Sequence, residues 1–342
     1  RWQHETDTNA VQRTGCCSQG RPHGKGGTYG AAVDVGTLDR PFGSWSDFDS
    51  LLRPGFAQTL MTAVSLGKVR VIVVQYRREN QVGQTAFLVS ASSGVQILGA
   101  LETVPTSQAV RRLRAGQGSD DLATKSVAVV GAGAVGSHVV DLLLRRGVGK
   151  VTVVDGESLR PGNAVRHLLA RSEYELSDKA TALRDHTSGY GFVPESAVTA
   201  ERKRLLTISD AEELLRSHDL VVDATASGQA STLLADAASD SPAHLVIVAL
   251  QRDGGIIRVD SFPGEGHADP LPENISGSVL LTEAGCIDPV SPVTPDAVVE
   301  AAVWAVRVAI DRLLGEGRFG PTVIVVNKEQ PHPLYDRLGV IV

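Results

Sequence analysis

The chain has 342 residues, 42% of them hydrophobic and 21% charged, with a formal net charge of -6. That length suits two domains, and the acidic balance argues against nucleic acid as the main partner. No run of about 18 or more apolar residues occurs, so no transmembrane helix is expected. The three cysteines, Cys16, Cys17 and Cys286, include no CxxC pair. This argues against a thiolate zinc site and suits a reducing, cytoplasmic compartment. The start at Arg1-Trp2-Gln3-His4 has neither an initiator Met nor an apolar signal core.

Residues 1–114 read as a small α+β domain. Gly20 to Gly36 is glycine-rich and reads as loop. A helix is expected around Gln58 to Val64, with strands over Val69 to Val74, Thr85 to Val89 and Val95 to Leu98. Ala115 to Asp121, polar and glycine-rich, reads as a linker. Beyond it, over 122–342, apolar runs of strand length alternate with helix-length segments. Ser126 to Val130 is a buried strand, and Ser137 to Arg146 a helix stopped by Gly147. Lys150 to Asp155 is a second buried strand. Ser209 to Glu212 reads as a capping box opening another helix. Leu220 to Asp223 and Leu245 to Leu250 are further buried strands, and Gly255 to Phe262 a strand after a Gly-Gly turn. Thr294 caps a helix that starts with Pro295 and runs to about Leu314. The alternation predicts an α/β fold: a Rossmann-like, doubly wound, mainly parallel sheet, preceded by the smaller α+β domain.

Gly131-Ala132-Gly133-Ala134-Val135-Gly136 is a G-x-G-x-x-G run between an apolar strand and a helix. Gly131 permits the tight turn, Gly133 lets phosphate approach the backbone, and Gly136 lets helix and strand pack closely. The helix start then offers free N–H groups to phosphate. Asp155 ends the next strand about 20 residues further on, where a carboxylate accepts ribose hydroxyls. These features indicate a nucleotide and leave ATP and NAD both open.

Three further stretches carry a resemblance. They are Gly147 to Leu159, Pro161-Gly162-Asn163-Ala164-Val165-Arg166-His167, and Ser177-Asp178-Lys179-Ala180. Together with the glycine run they resemble the adenylation domain of the ThiF/MoeB/HesA and ubiquitin-activating family. The resemblance covers about Leu122 to Phe262 and extends more weakly to the C-terminus. It implies ATP and Mg²⁺, and attack on the α-phosphate by the C-terminal carboxylate of a small ubiquitin-like protein or a peptide. Pyrophosphate leaves and an acyl adenylate forms. A carboxylate approaching a polyanion needs cations to neutralise it. By resemblance Asn163, Arg166 and Lys179 fill that need, Arg166 as a bidentate donor and Lys179 as a point charge toward the α-phosphate. The family also carries an arginine ahead of its first strand that reaches a nucleotide, often the partner subunit's. Within Arg111, Arg112 and Arg114 the resemblance gives that role to Arg114 or Arg111, a solvated linker being the other reading of this basic run, and the implied assembly is a homodimer.

The sequence departs from the family at Asp223-Ala224-Thr225-Ala226-Ser227. The family reads Asp-x-Thr-Asp here, and its second Asp helps to hold Mg²⁺; that position is Ala226. Asp223 serving from a shifted place, a metal held by ATP and water alone, and impaired catalysis all stay open. The family's zinc-holding CxxC pairs are also absent. Cys286 resembles the thioester cysteine of activating enzymes fused to conjugating-type domains. Glu283 and Asp288 beside it would raise its pKa, against the need for a thiolate. Residues 1–114 occupy the place of a conjugating-type domain, and no motif establishes one. A catalytically weak partner subunit or scaffold is the alternative that Ala226 suits. A nicotinamide-dependent oxidoreductase rests on the glycine run and Asp155 alone.

Overall fold

The structure is a computed structural model that describes residues 12–14, 30–78, 81–91, 94–101, 114–269, 271 and 292–342. The chain forms two compact units, Arg1–Ser107 and Gln108–Val342.

In the first unit, β1 (Gln12–Thr14), β2 (Gly30–Thr37), β3 (Val71–Arg78), β4 (Gln81–Ser90) and β5 (Gln96–Leu101) form one sheet in that order. The β2–β3 pair is parallel and the others are antiparallel. Helices α1 (Trp45–Asp49) and α2 (Pro54–Ser65) lie between β2 and β3 in the chain. Period-2 burial puts Ile72 and Val74 on the face that packs against Phe48, Leu60 and Val64 of the helices. Phe42, Phe48 and Phe87 meet there, with Phe42 and Phe87 edge-on at 5.3 Å. Ser44 and Asp47 form a full capping box on α1. Gly30–Thr37 corrects the loop reading. Its small residues carry a weak strand signal, and the segment becomes a strand through pairing with β3.

The described residues of the second unit include an eight-stranded sheet. Its strands are β6 (Ser126–Val130), β7 (Lys150–Val154), β8 (Val198–Glu201), β9 (Leu220–Asp223), β10 (His244–Gln251), β11 (Ile256–Phe262), β12 (Thr322–Val326) and β13 (Gly339–Ile341), in the order β13-β12-β11-β10-β9-β6-β7-β8. The pairs from β8 through to β10 are parallel, and those from β10 to β13 are antiparallel. The helices are α3 (Ser119–Leu122), α4 (Ala134–Arg146), α5 (Lys179–Ser188), α6 (Ile208–Ser217), α7 (Gly228–Ala238) and α8 (Pro295–Leu314). Val127, Val129, Val151 and Val153 pack on α4, α5 and α8. Ala128, Val130, Val221 and Leu245 face α6 and α7 on the other side. Burial on both faces makes these strands continuous apolar runs. The predicted doubly wound, Rossmann-like α/β sheet is thus present. Its chain order reverses between β6 and β9, where such folds bind ligands beyond the carboxyl ends.

Three local readings shift. The linker stretch runs into α3, which ends at the fully buried Leu122. The glycine run is itself the helix start, so α4 begins at Ala134 rather than Ser137. The capping box of α6 is Thr207 with Asp210, because Thr207 Oγ1 accepts from the Asp210 amide at 3.2 Å. Ser209 is inside that helix. Among the described residues no helix is long and apolar enough to cross a membrane.

Candidate functional site

The parallel strands β6, β7 and β9 are neighbours, and the loops that follow their carboxyl ends lie together at one edge of the sheet. After β6 the chain turns at Gly131, which has φ 90°. A Cβ there would lie 2.8 Å from the Ala224 backbone. At Gly136 a Cβ would collide with the Gly131 carbonyl oxygen. At Gly133 it would meet nothing within 4 Å. Two glycines are therefore demanded by packing, and the third leaves the backbone open on the side a phosphate would take. Gly133 N-caps α4 without a side-chain cap, so the helix's first amides keep no side-chain acceptor.

Asp155 follows β7. Its Oδ2 accepts the Ala132 amide at 2.8 Å and its Oδ1 the Glu157 amide at 2.7 Å. Burial pushes its pKa above the ordinary carboxylate value, against the pull of these amides and of Lys179. The carboxylate is thus locked to the glycine loop with lone pairs to spare.

Lys179 is the first residue of α5, behind the N-cap Asp178, whose Oδ1 accepts the Thr181 amide. A short antiparallel bridge between Ser158 and Asp178 ties this helix start to the loop after β7. Lys179 is only 6% exposed, and its Nζ donates to Glu157 Oε2 at 2.8 Å. The hydrogen bond from Lys179 is the main cause of a lowered Glu157 pKa, and Arg204 adds at 3.4 Å. A buried cation at a helix N-terminus sits against the helix dipole. Half-exposed Glu157 compensates it in the free protein, and an incoming anion would do the same.

The segment 161–169 lies across the start of α4. His167 Nε2 donates to the Ala132 carbonyl at 2.7 Å, and its Nδ1 accepts the Leu169 amide at 3.0 Å. Ser137 Oγ accepts the Leu168 amide at 3.2 Å, and His138 Nε2 lies 3.3 Å from the Arg166 carbonyl. Arg166 is half-buried, with a guanidinium nitrogen 3.5 Å from the carbonyl of Val293, just ahead of α8. Gly131, Gly133, Gly136, Asp155, Asn163, Arg166 and Lys179 therefore belong to connected loops at one edge of the sheet. Glu157, His138 and His167 had been given no role from sequence. Their motif stretches were visible, but a hydrogen-bond partner tens of residues away leaves no local signal.

Two predicted residues stand differently. Arg114 lines a cavity of about 610 Å³ with Ala123, Arg145, Gly149 and Phe192. Ala123 and Gly149 precede β6 and β7, so this is the amino edge of the sheet. The fold thus does not bring Arg114 to the glycine loop of its own chain. Asp223 is 1% exposed. Its Oδ1 accepts from the Thr225 amide at 2.9 Å and hydroxyl at 2.7 Å, and its Oδ2 from the Ser231 hydroxyl at 2.5 Å. It shapes the turn into α7 and offers little to a metal. Among the described residues no group of three His, Cys, Asp or Glu side chains is arranged to hold one. Ala226 is exposed at φ 55°. Cys16, Cys17, Arg111, Arg112 and Cys286 lie outside the described residues.

Residues 107–276 match the ThiF family. The chain is 28% identical over 213 residues to the ATP-dependent ubiquitin transferase-like protein Cap2 of Enterobacter hormaechei, covering 56% of this chain and 32% of that protein. It is 34% identical over 147 residues to the sulfur carrier protein adenylyltransferase of Thermus thermophilus, covering 43% of this chain and 53% of that protein. The chain thus spans about a third to a half of the length of these curated relatives. The crystal structure of PaaA matches with a TM-score of 0.52 at 13% identity, over 87% of this chain and 85% of that one, a likeness of fold.

Proposed function

The chain belongs to the ThiF family through residues 107–276, and from that premise we propose that it uses ATP to adenylate the C-terminal carboxylate of a small ubiquitin-like or sulfur-carrier protein, or of a peptide. The observation that carries this reading is Lys179, a buried ammonium at a helix N-terminus paired with the half-exposed carboxylate of Glu157. An anion arriving there meets a cation that is already desolvated and fixed, which is worth more than one in water. In this reading Asp155 holds the ribose, the open backbone at Gly133 receives phosphate, and Asn163, Arg166 and Lys179 neutralise the triphosphate. The substrate carboxylate attacks the α-phosphorus, the bond to the bridging oxygen breaks, and pyrophosphate leaves. The residues at the end of β9 do not fit a protein-held Mg²⁺, because Asp223 is already engaged and Ala226 has no ligand atom. No step is therefore assigned to the metal, which would enter with the triphosphate. Transfer of the acyl group to the Cys286 thiolate, releasing AMP, belongs to the proposal on family resemblance alone.

Calorimetry tests this with ATP–Mg²⁺, NAD⁺ and NADH as titrants, since the acyl substrate is unidentified. ATP should bind and the nicotinamides should not. Lys179→Ala should weaken ATP about tenfold or more, the loss of one charge-assisted contact. NAD binding without ATP, or ATP binding indifferent to Lys179→Ala, would overturn the assignment. Ala226 favours a second reading, a nucleotide-binding partner subunit or scaffold of low turnover. The Ala226→Asp variant separates the two.

A further inference from the structure

The peptide groups around Ala132 are held from two sides. Its N–H goes to Asp155, and its C=O accepts from His167. His167 is 4% exposed. A backbone amide only donates, so the contact from Leu169 N–H to Nδ1 requires that nitrogen to be unprotonated. The proton then sits on Nε2 and points at the Ala132 carbonyl. We infer that His167 is a positioning residue for nucleotide binding: its neutral imidazole sets the spacing between the glycine loop and the segment that carries Asn163 and Arg166. This role rests on the nucleotide reading above.

The spacing matters because the two halves of the phosphate environment come from different segments. The glycine loop offers backbone amides, and the 161–169 segment offers Asn163 and Arg166. Contacts that join the segment to the glycine loop and the helix it opens include His167 to Ala132, Leu168 to Ser137, and the Arg166 carbonyl to His138. The His167 contact reaches the loop between Gly131 and Gly133 itself, whereas Ser137 and His138 belong to the helix that follows. Burial lowers its pKa to about 4, and Lys179 and His138 on the neighbouring helices act in the same direction. Protonation would place an N–H against the Leu169 N–H and break the brace. A side-chain amide also combines an N–H donor group with an acceptor oxygen, so glutamine is the conservative replacement.

The experiment compares wild type, His167→Gln and His167→Leu by calorimetry with ATP–Mg²⁺ and by thermal unfolding. It adds ¹⁵N NMR of the wild-type imidazoles at neutral pH. The expected result is that His167→Leu weakens ATP about tenfold or more while His167→Gln stays within about threefold of wild type. Destabilisation alone would not produce rescue of affinity by the amide in a protein that is folded at the assay temperature. The NMR should show the tautomer protonated at Nε2 and needs no variant to fold. Protonation at Nδ1, or an imidazolium at neutral pH, overturns the brace. A wild type that binds ATP while His167→Leu binds equally well overturns the role alone. A wild type that binds no ATP overturns the nucleotide reading, and this role with it.

Discussion

At Ala226 the backbone is left-handed, with φ 55°. That conformation costs an alanine about 1 kcal/mol or more, whereas aspartate tolerates it through local hydrogen bonds. Ala226→Asp should therefore leave stability within about 0.5 kcal/mol of wild type or raise it slightly. If the missing carboxylate limits turnover, the same variant should raise substrate-dependent ATP–pyrophosphate exchange about tenfold or more. Unchanged exchange in a variant that binds ATP would favour the scaffold reading. Asp223 shows why a motif residue must be seen in place. The sequence leaves it open as a stand-in metal ligand, yet its two oxygens take three donors from Thr225 and Ser231. Lys179 carries the opposite lesson. An isolated lysine in a sequence usually lies on a solvated surface, and only the fold shows this one buried against the dipole of its own helix.

At the level of elements, the segment 161–169 is joined to the glycine loop through His167, which accepts at Nδ1 and donates at Nε2 only when neutral. His167 has a folded pKa of about 4 against an ordinary 6.5. As pH falls through about 6.5 the unfolded chain takes up this proton, while the folded chain resists until about 4. The folded state therefore suffers no penalty above that window, loses stability through it, and levels off below it, for a total of roughly 3 kcal/mol. His138, lowered mainly by burial, adds in the same direction. Glu157, lowered mainly by the Lys179 hydrogen bond, loses its stabilisation at lower pH still, whereas Asp155, raised by burial, opposes the trend. The unfolding temperature should accordingly drop between neutral pH and about pH 5 in scanning calorimetry, and His167→Gln should flatten that slope. An equal slope in the variant would assign the acid sensitivity elsewhere. Legibility also varied by element. The strands β6, β7 and β9 were plain as short apolar runs, and α8 by Thr294 and Pro295. The capping box of α6 was displaced by two residues, because Thr207 and Ser209 both precede an acidic residue at the required spacing and only hydrogen bonding chooses between them.

On the scale of the whole molecule, the position of Arg114 at the amino edge of the sheet bears on assembly. For Arg114 to reach a nucleotide, the nucleotide must belong to a second copy. The family resemblance alone predicts a homodimer, for which light scattering at micromolar concentration should return about twice the chain mass of 36.0 kDa. A monomeric mass would remove the role proposed for Arg114. What the sequence by itself determined was the α/β alternation, the strand–glycine–helix turn at Gly131 to Gly136 and the carboxylate at Asp155. Each of these is a local pattern, because periodic burial and special backbone geometry restrict residue type position by position. The tertiary structure decided the rest. It made Gly30–Thr37 a strand, set the predicted strand β11 antiparallel to β10, and added the antiparallel strands β12 and β13 beyond it. It also paired Lys179 with Glu157, closed Asp223 off from solvent and set His167 on the Ala132 carbonyl. Those outcomes depend on which distant segments meet, and a side chain's type records what it is able to bond without recording which partner the fold will bring to it.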